Sequence, residues 1–587
     1  MPIKRDYTIS DIYQGGYSTF KPSYGDVFTG YRLNPSSLGL TTDPRTANVL
    51  QDASTKLNTG AKQIEISAVS PEVFESIPNQ QLKEINRLAK LTGAEVSVHG
   101  PILEPSGLTR EGFSNTNREA VERQMFNAVE RSYEINPNGN VPVTFHSSVM
   151  LPSEIPSKGK EIEDVLVINT DSGSIAKIPL KESRFPGEPK KKDINQELYK
   201  INENQWNNQL RQMEYYAGIG GQAINRSAAT AMIAEAEKTA GRPLTEEERA
   251  MRSEFNRGVT FLNSSYNDLK QVFDSAYSKA SDSEKERIND FYRQIEKKAD
   301  KIKSNPKNPE NAVLMKEIIE DGIETLGKLV PPQLYEDLNK FSKEKTVETF
   351  SNIAFNSYKK FKDKSPIISI ENPPAGGAFS TGQELKEIVE ESRKKFIEKA
   401  KKEGMSESEA RGAAAKLIGV TWDVGHINML RKYGYEKADI VKEAEKVAKL
   451  VKHIHLSDNF GFEHTELPMG MGNVPVKEIL EKLGKEGFDA KKIIEAGNWW
   501  QHFRTPPFKE TLEAFGSSIY SMQMAPYWNQ SIGLQQDYYA GLAGQWLPQI
   551  NYETFGTGFS RLPAELGGQR QGAEGSRMSA QGHYRVR

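Results

Sequence analysis

Six successive short apolar runs in this chain finish on, or just past, a histidine, aspartate or glutamate, and this regularity limits the fold more than any other feature. The runs are AEVSVHGP with His99, VPVTFHSS with His146, PIISIENPP with Glu371, GVTWDVGHIN with Asp423 and His426, VKHIHLSDN with His453, His455 and Asp458, and KKIIEAGN with Glu495. Each is rich in β-branched residues and bounded by turn formers, so each reads as a β-strand. In a parallel barrel all strand C-termini open on one face, and ligands far apart in sequence meet there. Imidazole nitrogen together with carboxylate oxygen suits zinc, manganese or iron better than calcium. Seven of the eight histidines sit in or after such runs; the eighth, His583, lies in a polar stretch and is expected to take no part.

The segments between the runs support the same fold. Residues 36–42 and 62–67 supply two earlier strands, and helical stretches such as NQQLKEINRLAKLTG and TNREAVERQMFNAVERSYEI alternate with the strands as in βαβ units. The alternation stops near residue 150 and resumes near 366. Between these points VLVINTDSGSIAKIPL reads as a β-hairpin, with two β-branched runs flanking a turn. Lys-, Glu- and Asn-rich stretches with apolar residues three and four apart follow it, the pattern of packed amphipathic helices. A structureless loop of this length is foreign to a compact domain. The expected layout is a lead-in segment at 1–35, the first half of an α/β (β/α)8 TIM barrel at 36–150, a hairpin plus helical subdomain inserted at 151–365 between strands four and five, the second barrel half at 366–516, and a low-complexity, disordered tail at 517–587.

Composition narrows the chemistry. The 587 residues include 77 basic and 79 acidic side chains, a net charge of -2, so no global field draws the protein to nucleic acid or an anionic membrane. No window approaches the roughly 20 apolar residues of a membrane helix, and the opening MPIKRDYTISDIYQGG has no signal-peptide core. A cytoplasmic protein with no membrane partner is therefore expected. There is no cysteine. That excludes disulfides, thiolate zinc sites and iron–sulfur clusters, and any metal must be held by His, Asp, Glu and water.

Spacing within the runs separates the candidates. Asp423 and His426 are three apart at a strand end, which lets them serve two neighbouring ions. His453 and His455 are two apart and face the same way. His455, nearer the C-terminal end, is the better ligand; His453 is read as a buried histidine or one supporting a ligand, and Asp458 as a carboxylate orienting a ligand imidazole.

These strands resemble the xylose isomerase-like barrel superfamily, and especially its endonuclease IV branch (AP endonuclease family 2), over roughly residues 36–150 and 366–515. The resemblance implies that His99, His146 and Glu371 hold one metal, and that Glu371, Asp423, His455 and Glu495 hold a second. A third would sit beside His426. There the family places an Asp-x-His pair before a Gly-x-Gly turn, whereas this chain reads EHTELPMGMGN, with His464 at the Asp position and Glu466 at the His position. The implied cofactors are two or three divalent ions, zinc foremost with manganese as the alternative.

The resemblance further implies hydrolysis of a phosphodiester in DNA at an abasic site, a DNA-repair reaction, with Glu371 or Glu495 as catalytic residues that help position the attacking water. The alternative in the same superfamily is a sugar isomerase or epimerase with one divalent metal on Glu371, Asp423, His455 and Glu495 and a small sugar as partner. His99, His146 and the His426 group discriminate, because a single-metal isomerase does not need them as ligands. Trp499 and Trp500, in EAGNWWQHFR on the expected active face, are candidates to stack on substrate. The insertion offers a surface for a partner that the sequence does not identify.

Overall fold

The computed structural model describes residues 37–515, except 150, 153–154, 160–163, 181–192, 240, 242, 306–307, 309, 497–498 and 504. The lead-in segment and the C-terminal tail of the sequence reading lie outside the described residues. Among the described residues no helix is long and apolar enough to cross a membrane.

Eight parallel strands close a barrel in which each strand pairs with its sequence neighbour and the first pairs with the eighth. In chain order they are Leu38–Thr41, Gln63–Ser67, Glu95–His99, Pro142–His146, Ile367–Glu371, Ile418–Asp423, Val451–Leu456 and Lys491–Ile494. Closure pairs Leu38 with Lys492 and Leu40 with Ile494. The (β/α)8 architecture read from the sequence is the architecture observed.

Alternation along the strands explains how the barrel is filled. Five strands carry at or next to their C-terminal end a small polar residue or histidine, then an apolar residue, then a histidine or acid: Ser97-Val98-His99, Thr144-Phe145-His146, Ser369-Ile370-Glu371, Thr421-Trp422-Asp423 and His453-Ile454-His455. Successive side chains of a strand point to opposite faces. The middle residue of each triplet is at most 1% exposed, whereas the first residues meet across the interior. Thr144 and Thr421 hydroxyls lie 2.9 Å apart, and Thr421 donates to Ser369 Oγ at 2.7 Å. The barrel thus has a hydrogen-bonded polar floor under a rim of histidines and acids.

The outer helices follow ordinary rules. Gly382–Lys402 begins in a capping box, Glu384 N–H to Thr381 Oγ1 at 3.3 Å and Thr381 N–H to Glu384 Oε2 at 3.1 Å. Its apolar stripe buries Leu385, Ile388, Val389 and Phe396; truncating Phe396 to Ala would cost about 3–5 kcal/mol.

A second compact unit runs from Glu163 to Leu338. Its hairpin, Asp164–Asn169 with Ile175–Pro179, is extended by Tyr335–Asp337. Four helices follow the hairpin: Ile194–Thr239, Glu246–Lys279, Asp282–Ser304 and Asn311–Gly327. Their core is mainly apolar, with Trp206, Leu262, Ile288, Phe291, Ile318 and Ile319 all buried and only isolated polar residues such as Asn202 and Ser265 among them. The two longest helices touch backbone to backbone. A Cβ on Gly220 would sit 2.9 Å from the Gly258 carbonyl oxygen, and one on Gly258 would sit 3.0 Å from that of Gly220.

The unit is shorter than the 151–365 read from sequence. Helix Leu338–Phe361 falls with the barrel from Asn339 onward. Phe350 is buried against Phe145, and Thr349 donates to the Pro105 carbonyl at 2.8 Å. Its three-to-four spacing resembles that of the preceding helices, and periodicity shows that a helix has an apolar face without saying which core the face meets.

Candidate metal centre

Glu371 lies at the middle of the rim and is fully buried. Its Oε1 lies 2.7 Å from His455 Nδ1. Its Oε2 lies 3.4 Å from His99 Nε2 and 3.2 Å from His146 Nε2, yet this buried oxygen has no hydrogen-bond partner. Two imidazoles and a carboxylate oxygen therefore converge without bonding one another. Donors about 2.0–2.1 Å from a tetrahedral ion stand about 3.4 Å apart, so the spacing fits ligands around a divalent cation.

Four groups among the described residues are spaced to hold an ion, Glu65 with His453 and His455 and His99 with His455 and Glu495 among them, and the other two share Glu371. His99, His146 and Glu371 form one; Glu371, Asp423, His455 and Glu495 form the other; within each, one ligand atom per residue lies within 4.8 Å of the rest. Glu371 belongs to both. His455 Nδ1 also stands 3.2 Å from Glu495 Oε1.

Local structure aims these groups. Asp423 closes the sixth strand and caps the short helix Val424–Asn428, its Oδ1 accepting from the His426 amide at 2.7 Å. Asn372 brackets it, accepting from the Asp423 amide at 2.9 Å and donating to its carbonyl at 3.0 Å. Gly425 allows the helix to press against the seventh strand's end, since a Cβ there would lie 2.1 Å from Ser457 Oγ. The His426 ring donates from Nδ1 to the Asn372 carbonyl at 2.7 Å, which leaves Nε2 as the outward lone pair. That Nε2 meets His464 Nε2 at 2.8 Å. Glu466 Oε1 is 3.8 Å from His464 Nε2, and Asp423 Oδ2 is 4.0 Å from His426 Nε2. The structure thus brings the reversed His464/Glu466 pair beside His426.

Asp458 is committed to the loop that carries this pair. Its carboxylate accepts from the backbone amides of Asn459, Gly470 and Val474 at 2.9, 2.8 and 3.0 Å, and its backbone pairs with Leu467. His453 is buried one layer below the rim. Trp499 is buried and packs on Phe503 at 4.2 Å between ring centroids, while Trp500 is half-buried with the Lys56 ammonium 5.9 Å from its ring. Both tryptophans line a cleft of about 520 Å³ that opens onto His99, His146, His426, His464, Glu466 and Glu495.

The sequence reading passed over Glu65. This fully buried carboxylate of the second strand accepts from His453 Nε2 at 2.9 Å and Ser97 Oγ at 3.1 Å, and its Oε1 lies 3.2 Å from His455 Nε2. A signal was present: Glu65 is an acid in mid-strand, two residues before Ser67, where other strands place Ser or Thr.

Without a metal the rim is electrostatically strained. Burial disfavours charge on Glu371, but the imidazoles of His455 and His146 outweigh it and hold the carboxyl well below its usual range. Burial, reinforced by Glu495 and Glu371, pushes Asp423 well above the carboxylate range. Burial opposes charge on His99 too, yet Glu371 and Glu495 raise its imidazole to about 9. His455 is raised well above the usual value against the same penalty, by Glu495, Glu371 and Glu65. Burial, with Glu495 adding to it, pushes Glu466 up to about 7. Desolvation drives His426 and His464 down. Protons thus occupy positions that a divalent cation neutralises better.

Residues 337–515 match the family model described as xylose isomerase-like TIM barrel. The match covers the second half of the barrel, less than a third of the chain. That superfamily is metal-dependent and includes both endonuclease IV and sugar epimerases. A stretch of 84 residues, 14% of this chain, is 33% identical to an uncharacterized protein of Methanocaldococcus jannaschii and spans only 27% of that protein. Among solved structures, a D-tagatose 3-epimerase-like protein is similar at 14% identity and a TM-score of 0.33, covering 83% of this chain and 98% of its own. The D-psicose 3-epimerase of Clostridium cellulolyticum H10, solved with D-tagatose, is similar at 9% identity and a TM-score of 0.35, covering 84% and 98%. Scores at this level bear on neither substrate nor reaction.

Proposed function

We propose that the barrel is a metal-dependent phosphodiesterase of the endonuclease IV kind, cleaving DNA at abasic sites. The observation that supports this reading is the His99, His146 and Glu371 set beside the four-residue set, with Glu371 common to both. An isomerase that works with one ion needs only the four-residue set. Divalent ions held there, zinc or manganese by donor type, would lower the pKa of a water, neutralise phosphoryl oxygens and stabilise a leaving alkoxide.

The chain's own groups supply the rest. Glu371 keeps Oε2 without a hydrogen-bond partner between the His99 and His146 rings, which suits the role of a ligand. Glu495 reaches the cleft and is placed to orient the attacking water. Glu466, half-buried on the same cleft, is placed to exchange a proton with a departing oxygen. Trp500 presents a face for a sugar or base.

The test is incision of a labelled abasic duplex with zinc or manganese, run beside a panel of ketoses followed for epimerisation. Incision by the wild type, lost in His99→Ala and in His146→Ala, supports the reading. Ketose turnover without incision, retained in both variants, transfers the assignment to the epimerase.

A further inference from the structure

Directly beneath the rim, one carboxylate joins two histidines. Glu65 is on the second strand and its partners are on the seventh, yet all three side chains are 0% exposed. Glu65 Oε2 accepts from His453 Nε2 and from Ser97 Oγ, and the same carboxylate lies 3.2 Å from His455 Nε2. The opposite nitrogen of His455, Nδ1, is the one that faces Glu371 and Glu495. The His455 ring is therefore held between a carboxylate below and the candidate ligand set above. Glu65 belongs to neither of the two sets that share Glu371.

We propose that Glu65 is a positioning residue for the second metal: it fixes the Nε2–H tautomer and the ring angle of His455, so that the Nδ1 lone pair is presented to the ion. The inference rests on the metal reading of the Glu371, Asp423, His455 and Glu495 set and holds for either reaction class. Three features favour it over a further metal at Glu65, His453 and His455. The His453 Nε2–Glu65 contact of 2.9 Å is an ordinary hydrogen bond. Ser97 adds a donor that a metal-bound oxygen of Glu65 would not require. His455 Nε2 must carry a proton if Nδ1 is to be a neutral ligand. His453, sharing the same acceptor, keeps Glu65 from rotating away.

The experiment is a zinc and cobalt titration of the full chain against a competing chelator, comparing wild type with Glu65→Gln and Glu65→Asp. The expected result is an unchanged number of ions with one of them weakened by about 10–100-fold. The cobalt absorption bands of that ion should shift, because the angle and basicity of His455 change. Asp, which keeps the charge but withdraws it by one methylene, should not restore affinity. Thermal unfolding of the metal-free proteins separates this from a packing role, which would lower stability without altering the cobalt spectrum. Should Glu65→Gln fail to fold, Ser97→Ala removes one restraint on Glu65, and a smaller weakening of the same ion is expected. Equal affinities and identical cobalt spectra in all proteins would overturn the proposal. So would the loss of one whole equivalent in Glu65→Gln, which would make Glu65 a ligand. A wild type that binds no ion would sink the metal reading itself, and with it this proposal.

Discussion

The barrel and the helical unit solve the problem of filling an interior in opposite ways. The helical unit is filled with Trp, Leu, Ile, Met and Phe and draws its helices together at Gly220 and Gly258. The barrel interior carries a layer of Ser, Thr and His under a rim of His, Glu and Asp, and its apolar residues face the surrounding helices. None of the eight histidines lies between Glu163 and Leu338, and all the His and acid groups spaced for a metal among the described residues lie in the barrel. An apolar core repays conformational entropy by burial. A polar interior is retained where its groups have chemistry to perform, at a cost in desolvation that a bound cation offsets.

The sharpest way to break this contrast is at its centre. Glu371→Gln should remove ligands from two ions at once, so metal content should fall below one equivalent and activity by more than about 100-fold. Elemental analysis after dialysis reads the first quantity. Retention of both ions would mean that the two sets do not share this carboxylate.

On the other side, Leu262→Ala should cost the helical unit about 2–5 kcal/mol, because Leu262 is fully buried beside Gly220. Metal content should not change. If zinc binding weakened in parallel, the two regions would not be energetically separate.

Acidity should distinguish them as well. In metal-free protein the His99 imidazole is raised to about 9, so its stabilising contribution is complete below about pH 6.5 and is lost as pH rises through about 9. Glu466, raised to about 7, contributes in the same direction from about pH 4.5 upward. Lowered His426 and His464 act the other way below about pH 6.5, so denaturation between about pH 7 and 9 should show the barrel weakening by about 1–3 kcal/mol. Zinc affinity should run the opposite way, rising with pH by up to about tenfold per unit for each proton displaced. A barrel whose metal-free stability rises between about pH 7 and 9 would contradict the arrangement of charges described above.

The smallest expected effect is that of removing the helical unit. Asp337 pairs with Val167, so the two ends of the unit run side by side in one sheet and a few-residue linker can replace residues 163–338. The shortened protein should melt cooperatively and bind the full complement of metal, as read by circular dichroism and elemental analysis. The helix from Asn339 to Phe361 must stay, since Val347, Phe350 and Ile353 are buried with the barrel.

Strand ends were legible in the sequence because a barrel strand must be apolar on its outer face, and an acid or histidine after such a run interrupts the pattern visibly. His99, His146, Glu371, Asp423, His455 and Glu495 all come from that interruption. Glu65 was passed over because it lies inside a run, where single polar residues usually mean an exposed face. Its histidine partners come from a strand nearly four hundred positions away, and no local rule links them. Asp458 could be placed near the site but not assigned, since whether a carboxylate turns to a ring or to backbone amides depends on the return of the 458–474 loop. The extent of the insertion was misjudged at its C-terminal side for a similar reason: a helical stripe does not name its partner.

The central claim is that the barrel rim holds two divalent ions sharing Glu371. Anomalous scattering at the zinc edge from crystals of the zinc-loaded protein tests it directly. The account predicts one peak bonded to His99, His146 and Glu371 and a second bonded to Glu371, Asp423, His455 and Glu495, with none inside the helical unit. A single peak on the four-residue set, with His99 and His146 unligated, would contradict it.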